Sequence, residues 1–151
     1  GRPFVAVHLR GSDKIKEDAA LNATNAEILA ALDAVDPSWP IFLLTDDAHY
    51  LARMKARYGG RIVATDCQRT ETEEGVHYLS TVDPVQAGRE IMIDTYLALR
   101  ANRFIGNGLS NVSAMIAVLK DWPAENLTLI GRSLLMDRNL HLYEVPTFSK
   151  A

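Results

Sequence analysis

An arginine, an aspartate and a histidine lie at or just after the first apolar run of the sequence, residues 4–9. Arg10 offers a planar fork of donors that suits phosphate oxygens. An ion pair with Asp13 is the alternative interpretation, and both can hold because a carboxylate can orient a phosphate-binding arginine. His8 lies inside the run, where a lone histidine is more often a buried hydrogen-bonding residue than a ligand.

A glycine-rich turn, residues 106–110, leads from another apolar run into a helical pattern that begins near Ser110. Glycines let the main chain approach a ligand, and the free N–H groups of a helix start attract phosphate. The alternative is a tight strand–helix turn in which Ser110 is the N-cap. The spacing matches neither a dinucleotide fingerprint nor a P-loop.

Asp94 stands in a helical pattern that is apolar around most of its circumference, with Ile91 and Leu97 among its helical neighbours. Burial of an unpaired carboxylate is costly, so we expect Arg10 or the donor groups of a ligand to pair with Asp94. A purely structural ion pair is the alternative.

Asp46 and Asp47 follow the apolar run 41–44 and precede a further helical pattern. They could cap that helix, or they could hold a metal ion or a catalytic proton. Metal-ligand spacing is absent elsewhere in the sequence, as are a serine elbow and an EF-hand loop.

Short apolar runs alternate with longer helical patterns, which is typical of an α/β domain with a parallel sheet. Strands are predicted at residues 4–9, 41–44, 61–64, 103–106 and 127–130. Helices are predicted at about residues 25–35, from the acids at 46–47 to 58, 84–101 and 110–121. The long aperiodic segment 65–82 is predicted to be a functional loop. The fold class is therefore α/β, a doubly wound, Rossmann-like parallel sheet, with ligands bound beyond the carboxyl ends of the strands.

The composition fits one domain spanning residues 1–151, with 48% hydrophobic and 23% charged residues. The net charge of −3 and the lack of a basic cluster exclude nucleic acids and anionic membranes as expected partners. The single cysteine, Cys67, cannot form an internal disulfide, so we expect a cytoplasmic protein. Because the chain opens at Gly1 without a methionine, we expect a domain cut from a longer protein.

Four segments of the sequence occur in the order found in a known enzyme family. They are VHLRGSDK (7–14), LTDD (44–47), ID (93–94) and LSNVS (109–113). Over about residues 5–118 the chain resembles the donor-binding C-terminal domain of α1,6-fucosyltransferases, of both the core N-glycan and the nodulation types. Protein O-fucosyltransferases share a similar histidine–x–arginine segment.

The resemblance implies one half of a GT-B glycosyltransferase that transfers fucose from GDP-fucose to a glycan or protein acceptor. It implies inversion at the anomeric carbon and no required metal or other cofactor. Arg10 and Ser110 match residues that bind the β-phosphate, and His8 and Asp94 match residues that bind guanine. The donor-binding residues that the resemblance implies are His8, Arg10, Asp13, Asp94, Ser110, Asn111 and Val112. The residues that it implies for catalysis are Arg10, Asp46 and Asp47.

The chain also departs from that family. Gly11 stands where the core-type enzymes carry a second arginine, and Ser113 replaces their cysteine. We expect the acceptor-side N-terminal domain to lie outside this chain, and this chain alone to bind the nucleotide without transferring the sugar. The alternatives are a non-catalytic nucleotide or sugar-nucleotide binding module and a plain α/β interaction domain.

Overall fold

A computed structural model describes residues 1–11, 20–71 and 83–131 of the chain. The strands are Val5–His8 (β1), Ile41–Leu44 (β2), Ile62–Val63 (β3), Arg103–Asn107 (β4) and Leu127–Ile130 (β5). The helices are Ala20–Asp33 (α1), Ala48–Tyr58 (α2), Pro84–Ala98 (α3) and Asn111–Leu119 (α4). Short 3-10 turns, Gly59–Arg61 and Ala124–Asn126, precede β3 and β5.

The described strands form one parallel sheet in the order β3-β2-β1-β4-β5. Val5 of β1 pairs with Ile41 on one side and with Arg103 on the other. The direction in which the chain adds strands therefore reverses between β1 and β4, where open α/β sheets bind their ligands. The predicted α/β class with a parallel, doubly wound sheet is confirmed, and its strand order is that of a Rossmann-like fold.

Both faces of the sheet are covered, which explains why its central strands are apolar throughout. Val5, Val7 and Ile105 pack with α1 and α2 on one face. Ala6, Phe104 and their neighbours pack with α3 and α4 on the other. Because side chains alternate between the faces along a strand, His8 lies on the α3/α4 face with Ala6.

Several element boundaries differ from the prediction. Helix α1 begins at Ala20 rather than near residue 25, and α3 and α4 end two to three residues early, at Ala98 and Leu119. Asn107, predicted to lie in a turn, belongs to β4 because it pairs with Ile130 of β5. Strand β5 has the predicted bounds.

Helix α3 is not buried on all sides, although its sequence is apolar around most of its circumference. Its buried face consists of Asp94, Thr95 and Ala98. The exposed apolar residues of this helix are Val85, Ile91, Met92, Ile93, Tyr96 and Leu97. No helix in the described ranges is long and apolar enough to span a membrane.

Candidate functional site

A cavity of about 110 Å³ lies at the carboxyl edge of the sheet, on the α3/α4 face. Its walls come from the ends of β1 and β2, the segment after β3, and helices α3 and α4. The predicted site residues that line it are His8, Arg10, Asp46, Asp94 and Val112. Complete small-molecule sites usually enclose about 300–1,000 Å³, so this cavity fits one part of a large ligand.

Arg10 is held by the carboxylate that follows β2. Its Nη1 donates to Asp46 Oδ2 at 2.6 Å, and the main-chain N–H of Gly11 donates to Asp46 Oδ1 at 3.3 Å. The Arg10 carbonyl also accepts a hydrogen bond from Asn25 Nδ2 at 2.8 Å. These contacts fix the start of the loop after β1. The alternative partner, Asp13, lies outside the described residues.

Asp94 is buried, as predicted, with 7% of its surface exposed. The expectation that Arg10 pairs with it is not met, because Arg10 turns toward Asp46. Instead, the hydroxyl of Thr65 donates to Asp94 Oδ1 at 2.6 Å. Burial raises the pKa of Asp94 above its ordinary value, whereas the Thr65 hydroxyl and the positive charge of Arg69 act to lower it.

His8 is buried, and its Nδ1 lies 2.8 Å from Oγ of Ser113, also buried, on α4. Burial lowers the pKa of His8 from 6.5 to about 4, although the Asp46 carboxylate acts to raise it. The imidazole is therefore neutral at physiological pH. With Nδ1 engaged, Nε2 is the ring nitrogen that remains to bond a ligand.

The two adjacent acids after β2 have different environments. Asp47 is the N-cap of α2, and its Oδ1 accepts from the main-chain N–H groups of His49 at 2.7 Å and Tyr50 at 3.2 Å. The described residues that line the cavity include Asp46 and not Asp47. The helix-capping interpretation therefore holds for Asp47, whereas Asp46 lies beside Arg10.

The turn between β4 and α4 is tightly packed. A Cβ atom at Gly106 would lie 2.6 Å from Ser113 Oγ, so the glycine permits α4 to approach β4. Ser110 occupies the N-cap position of α4, but within the described part of the chain its side chain makes no capping hydrogen bond. Ser110 is buried and Asn111 is exposed; of the described residues at this turn, Val112 lines the cavity and these two do not.

The segment after β3 contributes side chains to the site that were not expected from the sequence. Cys67 and Gln68 line the cavity, and the main-chain N–H of Gln68 donates to Glu90 Oε2 on α3 at 2.9 Å. Burial raises the pKa of the Cys67 thiol. The only sequence signal for this wall was the length of the aperiodic segment, which predicted a functional loop.

Across residues 1–11, 20–71 and 83–131, no three His, Cys, Asp or Glu side chains come together as a metal site requires. No protein-family model matches the sequence, and no curated protein matches it. A functional assignment therefore rests on the fold, on the geometry of the cavity and on the resemblance of the four sequence segments.

Proposed function

We propose that the chain is the donor-binding domain of an inverting GT-B glycosyltransferase, which transfers fucose from GDP-fucose to a glycan or protein acceptor. The observation that carries this proposal is the meeting of three groups in one cavity at the carboxyl edge of the sheet. These groups are the guanidinium of Arg10, the neutral imidazole of His8 and the buried carboxylate of Asp94.

The Asp94 carboxylate suits guanine among the nucleotide bases. Guanine presents two adjacent donors, its N1–H and its 2-amino group, and a carboxylate can accept both hydrogen bonds. The Thr65 hydroxyl holds Oδ1 at 2.6 Å, which limits rotation of the carboxylate. His8 lines the same cavity and supplies Nε2 as a further hydrogen-bonding group.

Arg10 suits the β-phosphate of the donor. When the bond between the anomeric carbon and the β-phosphate oxygen breaks, negative charge grows on that phosphate, and a fixed cation stabilises it. Asp46 keeps the guanidinium in place through its 2.6 Å contact. Ser110 stands at the N-terminus of α4, and among the described residues its hydroxyl makes no capping hydrogen bond. In the proposal this hydroxyl contacts the same phosphate.

In this proposal the acceptor oxygen attacks the anomeric carbon on the side opposite to GDP, and its proton passes to a base on the acceptor side. As the new carbon–oxygen bond forms, the bond to the β-phosphate oxygen breaks and GDP leaves with the electron pair, so the configuration inverts in one displacement. The chain supplies the donor side alone, and a separate domain would supply the acceptor side. The reaction as proposed needs no metal, and the single cysteine, Cys67, fits a cytoplasmic location.

Calorimetric titration with GDP, ADP, UDP and inosine diphosphate tests this proposal. We expect the chain to bind GDP selectively. Asp94→Asn should weaken GDP binding about 10–200-fold, because its amide places a donor against a guanine donor. The preference for GDP over inosine diphosphate, which lacks the 2-amino group, should shrink in parallel.

The fold of this variant should survive, because the remaining carbonyl oxygen of the amide can still accept from Thr65. Asp83→Asn is the matched control: Asp83 caps the same helix, lies outside the cavity lining, and asparagine is an equally good cap. A loss of melting temperature in Asp94→Asn with unchanged base preference would contradict guanine recognition. Binding that ignores the base would indicate a general nucleotide module, and no binding would indicate an interaction domain.

A further inference from the structure

Residues 65–70, called here the bridge segment, contact the two aspartates that line the cavity, Asp46 and Asp94. At one end, the Thr65 hydroxyl donates to Asp94 Oδ1 at 2.6 Å. At the other end, the N–H of Thr70 donates to the Asp46 carbonyl at 2.9 Å, and the Thr70 carbonyl accepts from the N–H of Ala48 at 3.0 Å. The segment therefore links the main chain of Asp46 to the side chain of Asp94.

The side chain of Arg69 folds back onto the bridge segment. Its Nη2 donates to the Thr65 carbonyl at 3.0 Å, and its Nη1 donates to the Cys67 carbonyl at 3.1 Å. Its Nε is buried and has no hydrogen-bond partner among the described residues. The Arg69 guanidinium therefore joins two points of the bridge segment, the main chain at Thr65 and at Cys67.

We infer that Arg69 is a positioning residue of the candidate site, which holds the main chain of Thr65 so that the Thr65 hydroxyl orients the Asp94 carboxylate. Threonine is branched at Cβ and has few χ1 choices, so the position of its main chain decides where its hydroxyl lies. That hydroxyl can donate one hydrogen bond, and the Asp94 carboxylate accepts it. A lysine could supply the charge of Arg69 but not its planar fork.

The effect of Arg69 on ligand binding rests on the proposed function, whereas its effect on Asp94 can be measured without a ligand. The groups that act on Asp94 besides Thr65 are the charges of Arg69 and Glu90 and the thiol of Cys67. The titration of the Asp94 carboxyl, followed by carbon NMR on the ligand-free chain, therefore reports directly on this contact.

Three variants separate the geometry of the contact from its charge. Thr65→Val removes the hydroxyl and should raise the pKa of Asp94 by about one pH unit or more, since it removes a hydrogen bond to a charged group. Thr65→Ser keeps the hydroxyl and should remain near the parent. Arg69→Lys keeps the charge, loses the fork, and should shift the titration in the same direction as Thr65→Val.

The double variant Arg69→Lys/Thr65→Val should shift the pKa of Asp94 no further than Thr65→Val alone, because the arginine acts through the threonine. Arg61→Lys is the matched control, since Arg61 also donates to two main-chain carbonyls, those of Trp39 at 3.0 Å and Asp36 at 3.2 Å. This control should leave the titration of Asp94 unchanged.

An unchanged titration in Arg69→Lys would overturn the inference, as would single-variant shifts that simply add in the double variant. Thermal melting checks that each variant folds. If the lysine variant does not, Arg69→Gln replaces it; because this variant also loses the charge, the readout is then whether Thr65→Val still shifts the pKa of Asp94 in the Arg69→Gln background, which it should not. GDP titration then separates the two proposals. Expected pKa shifts in a chain that does not bind GDP would support the positioning role and contradict the proposed function.

Discussion

The imidazole of His8 on β1 and the hydroxyl of Ser113 on α4 share a hydrogen bond of 2.8 Å between Nδ1 and Oγ. Both side chains are buried, and the contact joins β1 to α4, the helix that follows β4. Because Nδ1 is engaged in this contact, Nε2 is the nitrogen through which His8 can bond a ligand. The protonation state of this ring therefore bears on both the stability of the chain and the site.

We expect His8 to make the chain less stable in mild acid. Burial lowers its pKa from 6.5 to about 4, so between these values the unfolded chain binds a proton that the native chain does not. The free energy of unfolding must then fall as the pH is lowered, by about 2 kcal/mol between pH 7 and pH 5. Urea titrations at both pH values should show that His8→Asn, which cannot titrate, loses this part of the dependence. If the free energy of unfolding fell equally with pH in parent and variant, the neutral, buried state of His8 would be contradicted.

Arg10→Ala should abolish detectable GDP binding while unfolding remains cooperative. Loss of a charge-assisted phosphate contact typically costs about 2–5 kcal/mol of binding free energy. The Arg10–Asp46 pair is partly exposed, so its loss should affect the fold much less. Arg10→Lys should also bind poorly, because a point charge does not replace the fork. Parent-like GDP affinity in Arg10→Ala, measured by calorimetry, would rule out this phosphate site.

Asp47→Ala should destabilise the chain by about 0.5–2 kcal/mol, because two N–H groups at the start of α2 lose their acceptor. Asp47→Asn should keep most of that stability, since asparagine also caps well. Asp83→Ala removes the exposed cap of α3 and is the matched control, with a smaller expected loss. Urea unfolding measures all three, and equal stability of Asp47→Ala and the parent would show that the cap is unimportant.

Gly11→Ala should be destabilising by about 1–3 kcal/mol, the usual cost of overpacking. A Cβ at this position would lie 2.5 Å from both Cβ and Oδ2 of Asp47, so the capping side chain must move. A Cβ at Gly88, inside α3, would have open space around it. Apart from its chain neighbours and the backbone of its own helix, no atom of the described residues would lie within 4 Å. Gly88→Ala should therefore stabilise the helix by about 0.5–1 kcal/mol. Opposite signs in thermal unfolding support this packing, and a stabilised Gly11→Ala would contradict it.

Much of the fold could be predicted because its signals are local. The run 127–130 is a strand with the predicted bounds. Asp47 caps α2, which is one of the roles predicted from its position before a helical pattern. Because β1 and β2 are adjacent and parallel, their carboxyl ends lie beside one cavity, as the rule for parallel sheets predicts.

The partners of the site residues could not be predicted, because they come from distant parts of the chain. An apolar helical pattern predicts that Asp94 is buried, but Thr65 lies 29 positions away in a segment without period. The same pattern does not tell which side of α3 faces the sheet, and Ile91 is in fact half exposed. Asp46 pairs with Arg10 across 36 positions, and only the assembled sheet brings them together.

The close approach of Gly11 to Asp47 has a consequence for the evolution of this fold. A side chain at position 11 and an aspartate at position 47 compete for the same space, since a Cβ on Gly11 would lie 2.5 Å from the Asp47 carboxylate. A substitution at either position therefore changes which residues the other tolerates. Homologous sequences that keep an aspartate at position 47 and carry a larger residue at position 11 should therefore place the main chain after β1 farther from this cap.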